Sequence, residues 1–213
     1  MSARERIGSA RLYLVCDARP RAFLAAAIRG GVDVVQLRDK SLGDEELIAA
    51  AREFRAAADA AGALFVLNDR PDLVVTCGAD GVHVGQEDAS VEEARAAVGP
   101  ERIVGRSTHA PEQGAAADAD PEVDYVAVGP VHATPTKPGR PAAGLEYVEW
   151  AAAHVGKPWF AIGGLHAGNV HEATARGARR IVVVRAIAEA ADPEAAARAL
   201  RARLEEPVGA AQP

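Results

Sequence analysis

The chain has 213 residues, a formal net charge of −6 and two cysteines. This length suffices for one domain with a sizeable core, and the acidic balance argues against a nucleic-acid partner, because phosphate backbones are bound by basic surfaces. Both cysteines, Cys16 and Cys77, lie in apolar stretches, which indicates buried, reduced thiols in a cytoplasmic protein rather than a disulfide framework.

The N-terminal segment, residues 1–10, is polar and lacks an apolar signal region, so we expect it to be flexible. No apolar run approaches the roughly 20 residues of a membrane helix, so no membrane partner is expected. Further along, β-branched runs alternate with alanine-rich, charged stretches. Eight runs are predicted to be strands: Leu12–Cys16, Val32–Leu37, Leu64–Leu67, Gly81–Val84, Ile103–Gly105, Tyr125–Val128, Trp159–Ile162 and Ile181–Val184. Because these runs are mostly apolar on both faces, they are typical of buried parallel strands.

The stretches between the strands have helical spacing. Leu47, Ala51 and Phe54 fall on one face of the stretch after the second strand. The last helix is expected to begin at Asp192, because aspartate is a favoured N-cap residue and Pro193 suits the first helical turn. Residues 205–213, rich in Pro, Ala and Gly, are expected to form a flexible tail.

Eight βα units without a linker predict the α/β class and a single (β/α)8 TIM barrel over residues 11–204. The alternative is an open, doubly wound sheet, since the same alternation permits it; the count of eight favours the barrel. A dinucleotide site is not expected, because no strand is followed by a full G-x-G-x-x-G pattern.

Polar clusters follow the predicted strands at the points where the strands end. They are QLRDK (36–40), NDR (68–70), GQED (85–88), GRS (105–107), TPTK (134–137) and GG (163–164). In a parallel barrel, such strand ends converge on one face. Because the clusters hold cations, carboxylates, hydroxyls and glycine backbone, the sequence predicts one site for a phosphorylated ligand and a divalent ion.

In the first cluster, Gln36, Arg38 and Lys40 are spaced two residues apart, so they share one face of an extended segment. Such groups at the end of a buried strand need a partner. An anionic ligand supplies one, because Arg38 can hold two phosphate oxygens and Lys40 adds a point charge. The alternative is an internal ion pair with a core acid.

Carboxylates follow two neighbouring strands. Asn68 and Asp69 end the third strand, and Asp88 comes after the fourth. Because neighbouring strands bring these groups together, Asp69 and Asp88 are predicted ligands for Mg²⁺, which favours one or two carboxylates completed by substrate phosphate and water. The alternative for Asp69 is to cap the helix that begins near Pro71.

Three later segments are candidates for phosphate binding or closure of the site. A long Pro- and Gly-rich loop after the sixth strand holds Lys137, and such a loop is usually functional and can close over a ligand. Gly163-Gly164 and Val184-Arg185 follow the last two strands, where this fold usually binds phosphate. The alternatives are a rigid surface turn for the loop and a tight turn for the glycines.

The sequence offers little support for a protein nucleophile or a histidine-bound metal. Ser107 lacks a nucleophile-elbow context, and none of the six histidines shows convincing metal-ligand spacing. All six histidines are therefore predicted to be packing or surface residues.

The motifs QLRDK, NDR, GVHVGQED, GRS, VGPVHATPTK, AIGG and VVVRAI occur in this order from Gln36 to Ile187. The ordered set resembles the thiamine phosphate synthase (thiamine-phosphate pyrophosphorylase) family. The resemblance implies a transferase of thiamine biosynthesis that couples 4-amino-2-methyl-5-(diphosphooxymethyl)pyrimidine to a thiazole phosphate and releases pyrophosphate. The implied mechanism is dissociative, through a pyrimidine methylene cation, with Mg²⁺ as the cofactor.

The resemblance also implies a role for each matching residue. The pyrimidine diphosphate would contact Gln36, Arg38, Lys40, Asn68, Ser107 and Lys137. The thiazole phosphate would contact Thr134, Thr136, Gly164, Val184 and Arg185, and Mg²⁺ would bind Asp69 and Asp88. The implied catalytic residues are Arg38, Lys40, Ser107 and Lys137. The chain departs from the family's pattern at Arg185, often serine, and at His132, often phenylalanine.

The implied partners are the two small-molecule substrates, and a homo-oligomer is also compatible with the sequence. Two alternatives remain open. A thiazole tautomerase-like relative would need an acid–base residue and no metal, but Pro130 stands where its working histidine is expected. A catalytically silent barrel would bind thiazole phosphate without releasing pyrophosphate.

Overall fold

The structure, a computed structural model, describes residues 1–133 and 142–205. Within them, eight parallel strands pair in sequence order and close into a barrel, with the last strand pairing with the first. The strands are β1 Leu12–Cys16, β2 Val34–Leu37, β3 Leu64–Asn68, β4 Gly81–Val84, β5 Ile103–Thr108, β6 Tyr125–Val128, β7 Trp159–Ile162 and β8 Ile181–Val183. The predicted (β/α)8 barrel is therefore confirmed, and the open sheet is wrong.

Helices surround the barrel. They are α1 Ala3–Ser9, α2 Arg21–Arg29, α3 Asp44–Ala61, α4 Val74–Cys77, α5 Val91–Val98, α6 Pro111–Ala119, α7 Gly144–His154, α8 Val170–Ala175, α9 Arg185–Ala188 and α10 Pro193–Glu205, with a 3₁₀ turn at Pro71–Leu73. Asp192 caps α10 as predicted, because its Oδ1 accepts a hydrogen bond from the Ala195 N–H at 2.9 Å. Across residues 1–133 and 142–205, no helix combines the length and apolar character needed to cross a membrane.

Residues 1–10 were predicted to be flexible, but most of this segment is helical. Ala3–Ser9 forms a helix because Ser2 and Glu5 make a reciprocal capping box. Ile7 on this helix is buried with the residues that fill the barrel interior, so the helix covers the N-terminal end of the barrel. At the other terminus, α10 extends through Glu205, and the rest of the predicted tail lies outside the described residues.

Two apolar layers hold the fold together. The outer layer lies between the sheet and the helices and includes both cysteines, which are buried free thiols as predicted. The inner layer fills the barrel with Tyr13, Tyr125 and Phe160, whose ring centroids lie 5.5 to 6.0 Å apart. This aromatic layer fills the interior of the barrel, so no channel runs through it, and it forms the floor of the space at the C-terminal end.

Among the described residues, three aspartates repeat one arrangement at the N-terminal end of the barrel. Asp33, Asp80 and Asp124 each precede an even-numbered strand and accept a backbone N–H from the start of the preceding strand at 2.7 to 3.0 Å. Each also pairs with an arginine, respectively Arg201, Arg55 and Arg95. These contacts tie the strand starts to the surrounding helices, so this end of the barrel serves stability.

Candidate active site

A cavity of about 350 Å³ opens at the C-terminal end of the barrel. Seven of the predicted site residues line it: Gln36, Arg38, Asn68, Ser107, Gly164, Val184 and Arg185. They come from five different strands or the turns that follow them. Four of the six predicted strand-end clusters, at residues 36–40, 68–70, 105–107 and 163–164, thus contribute to one cavity, because parallel strands deliver their last side chains to one face. The cluster at 85–88 does not line this cavity, and residues 134–137 lie outside the described residues.

The strand register explains which side chains reach this cavity. Val15 of β1 pairs with Gln36 of β2, and Asn68 of β3 pairs with His83 of β4. Side chains at paired positions point to the same side of a sheet, and alternate residues along each strand point inwards. Gln36 is buried in the barrel interior, and Arg38, two residues further, lines the mouth.

Lys40 and Asp69 form an ion pair beside the cavity, with Lys40 Nζ 2.9 Å from Asp69 Oδ2. Asp69 has a φ of +60°, a conformation that few residues other than glycine adopt, while its N–H still donates to His83 O at 2.9 Å. The helix-cap alternative for Asp69 is wrong, because the 3₁₀ turn at Pro71–Leu73 begins after Arg70 without a side-chain cap.

Asp88 closes the turn that follows β4. Its Oδ2 accepts a hydrogen bond from the Gly85 N–H at 2.8 Å, and the Gly85 carbonyl accepts one from Arg106 Nη1 at 2.7 Å. Partial burial lowers the pKa of the Arg106 guanidinium, and the Asp88 charge opposes this shift. Asp69 and Asp88 therefore follow the carboxyl ends of neighbouring strands. Within the described ranges, no group of three or more His, Cys, Asp or Glu side chains is arranged to hold a metal ion.

Glycine is required at the turn after β7. Gly163 and Gly164 have φ values of +109° and +68°. A Cβ at Gly163 would lie 2.5 Å from the Pro130 Cβ, and one at Gly164 would lie 2.8 Å from the His132 Cβ. Both contacts are far shorter than carbon atoms tolerate, so this turn packs against the turn after β6 with no room for side chains.

Three residues that the sequence analysis missed lie beneath the cavity. Tyr13, His83 and Tyr125 line it from below and are hydrogen-bonded to one another or to predicted site residues. His83, which was predicted only as a packing or surface residue, is buried and packs against Tyr125. Its ring nitrogens also contact Tyr125 Oη and Ser107 Oγ at 3.1 and 2.9 Å. Its position in GVHV, where an apolar strand places a polar ring inwards, was the available signal.

His109 also lines the cavity, which the same prediction missed. It follows β5, and its Nδ1 lies 2.6 Å from the Gly129 carbonyl oxygen. This contact links the ends of β5 and β6, next to Pro130. Thr134, Thr136 and Lys137 lie outside the described residues, so their roles stay predictions.

The chain is a (β/α)8 barrel with a cavity, lined by both polar and apolar side chains, at the C-terminal ends of its strands. A family model described as thiamine monophosphate synthase matches residues 12–187. The chain is 54% identical to the thiamine-phosphate synthase of Thermobifida fusca over 207 residues, covering 94% of this chain and 95% of that one. It is 55% identical to the Thermus thermophilus enzyme of the same name over 202 residues, covering 91% and 97%.

A solved structure gives the same result. Thiamine phosphate pyrophosphorylase from Pyrococcus furiosus superposes with a TM-score of 0.84 at 29% identity, covering 95% of this chain and 97% of that one. The chain therefore belongs to the thiamine monophosphate synthase family, and the family expected from the ordered motifs is confirmed.

Proposed function

We propose that this protein couples 4-amino-2-methyl-5-(diphosphooxymethyl)pyrimidine to a thiazole phosphate in a Mg²⁺-dependent reaction that releases pyrophosphate. The observation that carries the proposal is the convergence of Gln36, Arg38, Asn68, Ser107 and Gly164 on one cavity. Together with membership of the family, this cavity supports binding of a diphosphate and an aromatic ring side by side.

The diphosphate is assigned to the side of the mouth that carries Arg38 and Lys40. Arg38 lines the cavity, and its guanidinium fork matches two phosphate oxygens. Lys40 is more than half exposed and paired with Asp69, so its flexible ammonium can contact an incoming phosphate without a large desolvation penalty. Lys137 is proposed to complete this cationic surface.

The donor set fits Mg²⁺. Asp69 and Asp88 offer carboxylate oxygens after neighbouring strands, and one Asp88 oxygen is already held by the Gly85 N–H. Such a two-carboxylate site suits Mg²⁺, which keeps several waters and binds substrate phosphates as its remaining ligands. When bound, the ion supplies positive charge that stabilises the departing pyrophosphate.

The reaction needs no protein nucleophile. The C–O bond between the pyrimidine methylene and the diphosphate breaks, and its electron pair leaves with pyrophosphate. The methylene cation that remains is delocalised into the aminopyrimidine ring, and the lone pair of the thiazole nitrogen forms the new C–N bond. Arg38, Lys40 and Lys137 stabilise the leaving charge, and Gln36 with Ser107 orients the ring. The apolar wall that includes Ile162 and Val182 excludes water from the cation.

The thiazole phosphate is assigned to the opposite side of the cavity, at Gly164, Val184 and Arg185. Gly163 and Gly164 carry no side chains of their own, which allows phosphate oxygens to approach their backbone N–H groups closely. Arg185 is exposed at the start of α9, where its guanidinium can reach a phosphate from the solvent side. Thr134 and Thr136 are also proposed to contact the thiazole phosphate.

The test is pyrophosphate release from both substrates, measured with Mg²⁺ and again with excess EDTA. We expect release only when both substrates and Mg²⁺ are present. Conversion of the thiazole phosphate without Mg²⁺ or pyrimidine would instead identify the tautomerase-like alternative. Tight binding of thiazole phosphate with no release under any condition would identify a silent barrel.

A further inference from the structure

A chain of five hydrogen-bonded side chains crosses the floor of the cavity, and the proposed reaction uses only its two ends. Gln36 Nε2 lies 2.7 Å from Tyr13 Oη, which lies 2.9 Å from Tyr125 Oη. Tyr125 Oη lies 3.1 Å from His83 Nδ1, and His83 Nε2 lies 2.9 Å from Ser107 Oγ. We refer to these five residues as the floor chain.

The floor chain has a direction. An amide nitrogen only donates, so Tyr13 Oη accepts from Gln36 and must place its own proton on Tyr125. Tyr125 then donates to His83 Nδ1, since a buried hydroxyl proton without an acceptor is unfavourable. A neutral imidazole that accepts at Nδ1 carries its proton at Nε2, so His83 donates to Ser107 Oγ.

The direction determines what the two ends present to a ligand. Ser107 Oγ accepts from His83 and therefore keeps its own proton to donate into the cavity. Gln36 uses its Nε2 on Tyr13, which leaves its Oε1 as the acceptor at the other end. One end donates and the other accepts, and neither can change without reversal of every bond between them.

We infer that the floor chain selects the pyrimidine by its hydrogen-bonding edge, with Tyr13, Tyr125 and His83 as positioning residues that hold Ser107 as donor and Gln36 as acceptor. This inference rests on the proposed function. A 4-aminopyrimidine offers an amino N–H to the Gln36 acceptor and an unprotonated ring nitrogen to the Ser107 donor. A 4-oxopyrimidine replaces the amino donor by a carbonyl oxygen, which cannot bond to the Gln36 acceptor and would need Gln36 to donate, as in a reversed chain.

Burial makes reversal difficult. Tyr13 and Tyr125 are almost completely buried, and burial raises the pKa of both phenols far above neutrality. Both hydroxyls therefore keep one proton each, and the chain cannot relax by losing one. Reversal requires rotation of the Gln36 amide, of two phenol protons and of the Ser107 proton, together with a change of the His83 tautomer.

The test compares Tyr125→Phe with Tyr147→Phe. The first removes the central hydroxyl of the floor chain. The second removes another buried hydroxyl, which donates to Thr108 Oγ1 at 2.7 Å and does not line the cavity. Calorimetry without thiazole phosphate gives the Kd of the amino pyrimidine diphosphate and of its 4-oxo analogue. We expect wild-type protein to bind the amino compound at least about thirtyfold more tightly than the 4-oxo analogue. This ratio of Kd values is expected to fall by a factor of at least about ten in Tyr125→Phe. In Tyr147→Phe it is expected to stay within about twofold of the wild-type ratio.

A preference in Tyr125→Phe within threefold of wild type would overturn the inference. Pyrophosphate release by wild-type protein is measured alongside, with thiazole phosphate and either the amino or the 4-oxo pyrimidine diphosphate. Failure of the proposed function would be seen separately, as no release of pyrophosphate with either compound. A second readout needs only wild-type protein. Long-range ¹H–¹⁵N spectra with the pyrimidine diphosphate bound are expected to show His83, assigned with His83→Asn, protonated at Nε2; protonation at Nδ1 would overturn the inference even if Tyr125→Phe failed to fold.

Discussion

Asp69→Asn separates the charge of the proposed metal ligand from its structural contacts. Asparagine tolerates the φ of +60° found at this position and keeps the backbone bond from residue 69 to His83 O. The substitution therefore removes one negative charge and little else.

The structure bounds its effect on stability. The ion pair that is lost joins Lys40, with 59% of its side chain exposed, to Asp69, with 19% exposed. Because the Lys40 side chain is largely in water, which screens the pair, its loss is expected to cost about 1 kcal/mol. This corresponds to a shift of roughly 2–4 °C in Tm for a chain of this size. Activity is expected to fall much further, at least about a hundredfold in kcat, or about 2.7 kcal/mol of transition-state free energy.

The assay is pyrophosphate release at saturating substrates over a Mg²⁺ titration, with Tm measured on the same samples. Asp72→Asn is the matched control, because Asp72 is an exposed aspartate three residues away that also pairs with a cation, Arg70. We expect Asp72→Asn to retain activity within about twofold. A kcat of Asp69→Asn within threefold of wild type would refute the reasoning. So would a loss of activity no larger than the loss of folded protein in the same sample.

Two further predictions concern the ends of the barrel. Gly164→Ala is expected to raise the KM for thiazole phosphate at least about tenfold with a smaller change for the pyrimidine, because its Cβ would lie 2.8 Å from the His132 Cβ; equal changes in both KM values would contradict this assignment. Asp124→Ala is expected to lower the free energy of unfolding by about 2 kcal/mol in urea titrations, because it leaves the Val104 N–H without its acceptor and removes one of the two carboxylates that pair with Arg95. Arg4→Ala, which removes a largely exposed partner of the same aspartate, should cost under about 1 kcal/mol, and equal losses in the two variants would be inconsistent with this account.

The strands were predictable where hydrophobicity alone determines them. Leu12–Cys16, Gly81–Val84, Tyr125–Val128 and Trp159–Ile162 are bounded as predicted, because each is an apolar run that ends at a turn residue or a polar group. The fifth strand was predicted to stop at Gly105 but continues to Thr108. Arg106 and Ser107 stay in the ladder by pairing with Val126 and Ala127, which a hydrophobicity pattern does not reveal.

Several polar residues at the mouth of the cavity could be predicted, but the residues of its floor could not. Arg38, Asn68 and Ser107 stand at strand ends, where the fold class alone brings them to the mouth. Tyr13 and His83 lie inside strands, and their inward direction follows only from register, which is set by closure of the barrel. The Lys40–Asp69 contact likewise joins residues 29 positions apart through two neighbouring strand ends.

The central claim is that Asp69 and Asp88 hold one divalent ion against the diphosphate at the mouth of the barrel. Mn²⁺ favours the same oxygen ligands as Mg²⁺ and scatters anomalously, so crystals grown with Mn²⁺ and the pyrimidine diphosphate, without thiazole phosphate, test the claim directly. The account predicts an anomalous peak bonded to oxygens of both carboxylates and of the diphosphate. Carboxyl groups too far apart to share an ion, or a bound diphosphate with its metal elsewhere, would contradict it.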